Sequence, residues 1–200
     1  VTAIFSVADM MIRTQSDRMT GKNGSWHIEL DGISQETALK IAERDDVVSI
    51  GAVTIFNPDG ELPYRMDGKR VVLYGIDESY LTMNSTGAAE GRFPQGMGEI
   101  MLSSNAARVL QVAVGDTVTL RTPSGDWDFT VSGLGGVEES YYSGQYSLMD
   151  AYLPRTAFAA LMEQNNVHNL QTSYYVQFTS ASKAAKAIPE LTAQHNLPEN

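Results

Sequence analysis

The chain has 200 residues, 42% of them apolar, enough to bury a sizeable core, so long-range disorder is excluded. Its 14 Lys and Arg face 24 Asp and Glu, a net charge of −10 with no basic run to offset it. Such a field repels phosphate backbones and anionic headgroups, which removes nucleic acid as a partner, and the absence of cysteine removes disulfides, thiolate metal sites and cysteine nucleophiles.

The opening segment Val1–Ile12 is apolar but broken by Asp9, and is shorter than the roughly 20 residues that span a bilayer. Two readings compete for it. One is an amphipathic surface helix; the other is the outer end of a membrane helix, with residues 1–22 as end and stalk. The start at Val1 instead of Met suggests an excised or processed piece. The polar residues after Ile12 read as a continuing helix and, from Gly21, as a turn.

Trp26–Leu30 alternates bulky apolar with polar residues and predicts a half-buried strand. Ser34 is placed as a helix N-cap, with Ile33 and Ala38 spaced as a hydrophobic staple. That helix carries Ala38, Ile41 and Ala42 on one face and ends near Asp45. The β-branched run Val47–Phe56 predicts the next strand, which completes a strand–helix–strand unit resembling half of a ferredoxin-like sandwich. Asn57-Pro58-Asp59-Gly60 is a turn, a hairpin-like arm follows to Lys69, and Arg70–Ile76 is a strand.

Residues 77–98 are rich in glycine and read as loop. Glu99–Ser103 is a short strand, Ser103 or Ser104 caps a helix over NAARVLQV, and Gly115-Asp116 turns into Thr117–Thr122. Pro123-Ser124-Gly125-Asp126 makes a hairpin turn, and the two flanking strands alternate Val118 and Leu120 against Trp127, Phe129 and Val131. A polar, tyrosine-rich connection, Val137–Asp150, leads to a strand at Ala151–Pro154 and a helix opened by Pro154. Thr172–Thr179 is a strand, followed by a helix that Pro189 kinks or splits. The fold class is α+β. The order implies a discontinuous subdomain, residues 23–84 and 151–200, with a mostly β subdomain, residues 85–150, inserted in it.

Candidate chemistry is sparse. His27, His168 and His195 are the near-neutral acid–base groups, but none stands at a metal spacing, and His27 is expected to point outward from its strand. Glu138-Glu139 and Asp45-Asp46 are adjacent carboxylates, which diverge on a strand and do not face each other on a helix. Gly133, Gly135 and Gly136 complete no dinucleotide fingerprint, and Gly21-Lys22 and Gly68-Lys69 lack the rest of a phosphate loop. The glycosylation-like triplets at Asn23 and Asn84 are three-residue matches only. Tyr141, Tyr142, Tyr146 and Tyr152 with Met149 read as packing first and as an amphipathic binding surface second. No residue is assigned as catalytic, cofactor-binding or metal-binding, substrate-binding residues are not identified, and no cofactor is expected.

Gly75–Leu81, Glu90–Leu120 and Phe129–Leu134 together resemble the MacB-like periplasmic core domain of FtsX-type ABC transporter permeases. The pieces are Gly91-Arg92-Phe93, Gly98-Glu99-Ile100, Asn105–Leu110, Gly115-Asp116 and Phe129–Gly133, in that family's order; Tyr152-Leu153-Pro154 resembles its return strand. The resemblance implies a non-enzymatic, porter-like α/β body with a β-rich insert. It implies a position on the extracytoplasmic face of the cell membrane, anchored at both ends by membrane helices. The implied partners are a cytoplasmic ATPase subunit, reached through the rest of the permease, and a second permease copy. Elements for docking an outer-membrane channel are not recognisable, which leaves export or sensing of peptide, lipid or lipoprotein. A free-standing extracellular ligand-binding or adhesion module is the alternative.

Overall fold

The computed structural model describes residues 11–14, 24–56, 63–84, 88–135 and 149–195. Their secondary structure mixes five helices with eleven strands. The chain forms two compact units, Val1–Ala52 with Thr172–Asn200, and Val53–Gln171.

Strand β1 (Met11–Thr14) pairs antiparallel with β2 (Ile28–Asp31), so the helix expected to continue past Ile12 is a strand there. The edge of β2 offers Met11–Thr14 a complete ladder, and long-range pairing overrides a short apolar run with helical spacing. Residues 1–10, where the amphipathic or membrane helix was expected, lie outside the described residues. Helix α1 (Gln35–Ala42) begins as read: the Ser34 hydroxyl accepts from the Thr37 N–H at 3.1 Å, and Ile33 and Ala38 are both buried in one cluster. Strand β3 (Val47–Phe56) follows.

Strands β4 (Arg65–Met66) and β5 (Lys69–Ile76) form a hairpin around Asp67 and Gly68, both at positive φ, which makes Asp-Gly the natural pair for so tight a reversal. The region expected to be loop instead holds helix α2 (Glu78–Asn84), which buries Leu81 and Met83, and strand β6 (Ala88–Gly91). Strand β7 (Glu99–Leu102) leads to α3 (Ser104–Leu110), whose N-cap is Ser103. Strands β8 (Thr117–Thr122) and β9 (Gly125–Gly135) pair as the expected hairpin, with Val118, Leu120, Phe129 and Val131 buried.

Strand β10 (Met149–Pro154) runs directly into α4 (Arg155–Gln164). Strand β11 (Leu170–Phe178) precedes α5 (Ala181–His195), which continues through Pro189 without being split.

In the first unit the strand order is β1-β2-β11-β3, and one face carries both helices. Ile28 and Leu30, Tyr174, Val176 and Phe178 alternate onto that face and meet Ala38 and Ile41 of α1 and Ala184, Ala187 and Leu191 of α5. The bidentate Arg44–Asp46 pair, at 2.9 and 3.0 Å, extends to Glu190 of α5 at 3.0 Å, fastening the α1–β3 turn to the last helix.

In the second unit β5-β10-β7-β9-β8-β4 close on themselves, because the two residues of β4 pair with β5 on one side and β8 on the other. The result is a ring of six hydrogen-bonded strands. Alternate residues point inward: Val71 and Leu73, Met149, Ala151 and Leu153, Ile100 and Leu102, Phe129 and Val131, Val118 and Leu120. Phe158, Leu161 and Met162 of α4 join this core, with the Phe158 ring seated where Gly75 has no side chain. Tyr64 donates to the Met162 sulfur at 3.4 Å, and burial pushes its phenol up to about 12.

Candidate functional surface

The motif pieces quoted above are spread over some forty residues of sequence, yet they converge on one stretch of β9. Gly91 pairs with Gly133, and the Arg92 N–H donates to the Ser132 carbonyl at 2.9 Å. The chain then crosses from β6 to β7, and the Thr130 N–H donates to the Gly98 carbonyl at 2.9 Å. From another part of the sequence, the Gly115 N–H donates to the Val131 carbonyl and the Val131 N–H to the Asp116 carbonyl, each at 2.8 Å. Asp116 also accepts from the Ala113 N–H at 2.8 Å, which shapes the Gly-Asp turn.

The crossing is so close that it dictates residue types. A Cβ on Gly133 would lie 2.4 Å from the Arg92 carbonyl oxygen, and one on Gly91, at φ +69, would lie 2.3 Å from the Ser132 carbonyl oxygen. Gly133, which the sequence offered as part of a nucleotide loop, therefore serves close backbone approach within β9, and Gly135 ends that strand at φ +138, paired with Ala88 of β6. Gly136 lies outside the described residues.

The loop that crosses is held by one carboxylate. Glu99 takes both terminal nitrogens of Arg92, at 2.9 Å for Nη1 and a short contact for Nη2, together with the Gln95 N–H at 2.8 Å and the Gly96 N–H at 3.2 Å. The Arg92 hydrogen bonds, then that from Gln95, pull the Glu99 pKa down to about 2. With four donors on its two oxygens, Glu99 is an anchor and a poor proton-transfer group. Sequence reading quoted Arg92 and Glu99 as motif letters without pairing them, since a separation of seven on no common helix carries no contact signal.

The other sequence candidates are dispersed. His27 stands before β2, where its N–H donates to Val176 and its Nδ1 accepts from the Phe178 N–H at 3.1 Å. The expectation that it points outward is thereby corrected: the half-buried ring packs edge-on to Phe178 and extends the β2–β11 ladder. His168 is exposed in the turn after α4, and His195 ends α5. Asp45 is exposed while Asp46 turns to Arg44, so that carboxylate pair diverges as expected. Glu138, Glu139, Tyr141, Tyr142 and Tyr146 lie outside the described residues. Tyr152 and Met149 are buried, and Tyr152 stacks on Tyr74 at 5.4 Å, which is packing. Among the described residues no three His, Cys, Asp or Glu side chains converge as metal ligands.

A row of polar contacts lies on the first unit's sheet, opposite the helices. Tyr175 donates to Glu29 at 2.9 Å, Ser173 to Asp31, and Trp26 meets the Tyr175 ring edge-on at 5.1 Å.

The family model for the MacB-like periplasmic core domain matches residues 1–194. This chain belongs to that family. The resemblance read from Gly91-Arg92-Phe93 through Gly133 is therefore established, and it implies an extracytoplasmic domain of a transporter permease. The fold is similar to the periplasmic region of MacB from Actinobacillus actinomycetemcomitans, with TM-score 0.55 and 14% identity over 93% of this chain and 83% of that one. It is also similar to a domain of a permease protein from Porphyromonas gingivalis, with TM-score 0.51 and 17% identity over 78% of this chain and 75% of that one. No curated protein matches the chain in sequence. Among the described residues no helix is long and apolar enough to cross a membrane.

Proposed function

We propose that this domain works as a mechanical element of an ABC transporter permease. It couples ATP hydrolysis by a cytoplasmic ATPase to the handling of a peptide, lipid or lipoprotein substrate on the extracytoplasmic face, and makes or breaks no bond itself. The observation that carries this reading is the family match over residues 1–194. In this reading residues 23–84 and 151–200 are the porter-like part, residues 85–150 are inserted in it, and flanking membrane helices anchor both ends. Two features of the ring suit it to transmit force: hydrogen-bonded strands that close on themselves leave few free edges, and the Arg92–Glu99 clamp holds the crossing loop. A second permease copy is the proposed partner across the transporter.

This chain contains no cysteine, so one introduced here is the single thiol of the domain. Leu39→Cys, at an exposed position on α1, is spin-labelled in the full-length permease reconstituted with its ATPase. Label-to-label distances are expected to differ between the ATP-bound and ADP-bound transporter. Identical distance distributions in the two states would refute coupling through this domain. Separately, calorimetry on the isolated chain is expected to show no ATP binding.

A further inference from the structure

Nine methionines occur in the sequence, and six have described side chains. Met66, Met83, Met101, Met149 and Met162 are buried, each at 2% exposure or less. Met97 is 52% exposed. It sits between Gly96 and Gly98, two residues without side chains, and more than half of its own surface is open to solvent. The loop beneath is tied by Glu99 to Arg92, Gln95 and Gly96, so the display does not depend on local unfolding.

We propose that Met97 is a modification site, the thioether that takes up oxygen from a peroxide while the domain stays folded. The sulfur attacks one peroxide oxygen, an S–O bond forms and the O–O bond breaks. Sulfur loses two electrons, and the peroxide, reduced, leaves as water or an alcohol after proton transfer. The product is a sulfoxide, polar and reducible by sulfoxide reductases, placed where no core packing opposes it. For the five buried methionines the same reaction must wait for opening of the ring core or its surroundings, and is slowed by the opening equilibrium.

The test uses the 200-residue chain and dilute hydrogen peroxide at neutral pH, followed by tryptic digestion and mass spectrometry. Met97 and Met101 share the peptide Phe93–Arg108, so their oxidation is read from one fragmentation spectrum. Met97 is expected to oxidise at least about tenfold faster than Met101 and the other four, with the thermal midpoint unchanged after one equivalent is taken up. In Met97→Leu the fast step at this position is lost and the fold is retained. Equal rates at Met97 and Met101, or a fall in the midpoint that tracks Met97 oxidation, would overturn the proposal.

Discussion

Gly133→Ala tests whether the motif residues serve the crossing over β9. The new Cβ would stand 2.4 Å from the Arg92 carbonyl oxygen and 3.1 Å from its nitrogen and carbonyl carbon, all backbone atoms. Reaching ordinary contact requires the crossing chain to retreat by about 1 Å, since dispersion turns to steep repulsion at shorter range. Two bonds hold it in place, from the Arg92 N–H to the Ser132 carbonyl at 2.9 Å and from the Ser132 hydroxyl to the Arg92 carbonyl at 3.3 Å. Loss of the first costs about 1 kcal/mol and of the longer one less. Overpacking strain adds about 1–3 kcal/mol. The expected destabilisation is about 2–4 kcal/mol, or roughly 5–15 °C in midpoint for a domain of this size.

The assay is urea unfolding followed by Trp127 fluorescence in a Trp26→Phe background, so that the signal comes from the second unit, where Trp127 lies on β9. Gly98→Ala is the control, because it belongs to the same motif but has open space for a Cβ. It is expected to stay within about 0.5 kcal/mol of the parent. A Gly133→Ala protein as stable as the parent, or a Gly98→Ala protein equally damaged, would refute the steric account.

Glu99→Gln should lower stability in a pH-dependent way. The folded pKa of Glu99, about 2, lies below its ordinary 4.5, so its contribution is present in full above about pH 4.5 and is lost as pH falls toward 2. Acid unfolding curves of parent and variant should therefore differ at pH 6 and converge near pH 2; curves separated by a constant gap would contradict this. Arg44→Met removes the bond to Asp46 and that to Glu190, and should cost about 1–2 kcal/mol by urea unfolding, whereas Lys40→Met, at an exposed helical pair, should leave the midpoint unchanged. Phe158→Ala leaves a cavity in the ring core beside Gly75 and should cost about 3–5 kcal/mol in the same assay.

Much of the secondary structure was legible because local chemistry and tertiary context agree. Ser34 and Ser103 cap the helices they precede, and the period-two burial of Thr117–Thr122 announces a strand with one wet face. Where the two disagree, the reading failed. Met11–Thr14 straddles the end of the apolar segment and the polar residues read as a continuing helix, and only the waiting edge of β2 makes it a strand. Glycine-rich residues 77–98 looked like loop because helix α2 is seven residues long and β6 is four, each too short to show a period. The candidate site was legible as letters, Gly-Arg-Phe and Gly-Glu and Gly-Asp, but not as a contact set, since each letter meets its partner on β9 from a different distance in sequence.

Closure of the ring shows most sharply why topology outruns pattern. It rests on β4, two residues long, pairing Arg65 with Arg70 on one side and with Arg121 on the other. Two residues have no periodicity to read. Three arginines abreast would argue against pairing on charge alone, yet Arg121 is turned to Asp126 across its own hairpin, at 3.4 Å. What stabilises the closure lies beside it: Met66 and Tyr64 are buried among Leu120, Val118 and Phe158, residues contributed by distant parts of the chain. A six-strand ring can therefore hinge on the one strand that a sequence signals least, because the apolar side chains next to that strand, and not its backbone pattern, provide the driving force for closing it.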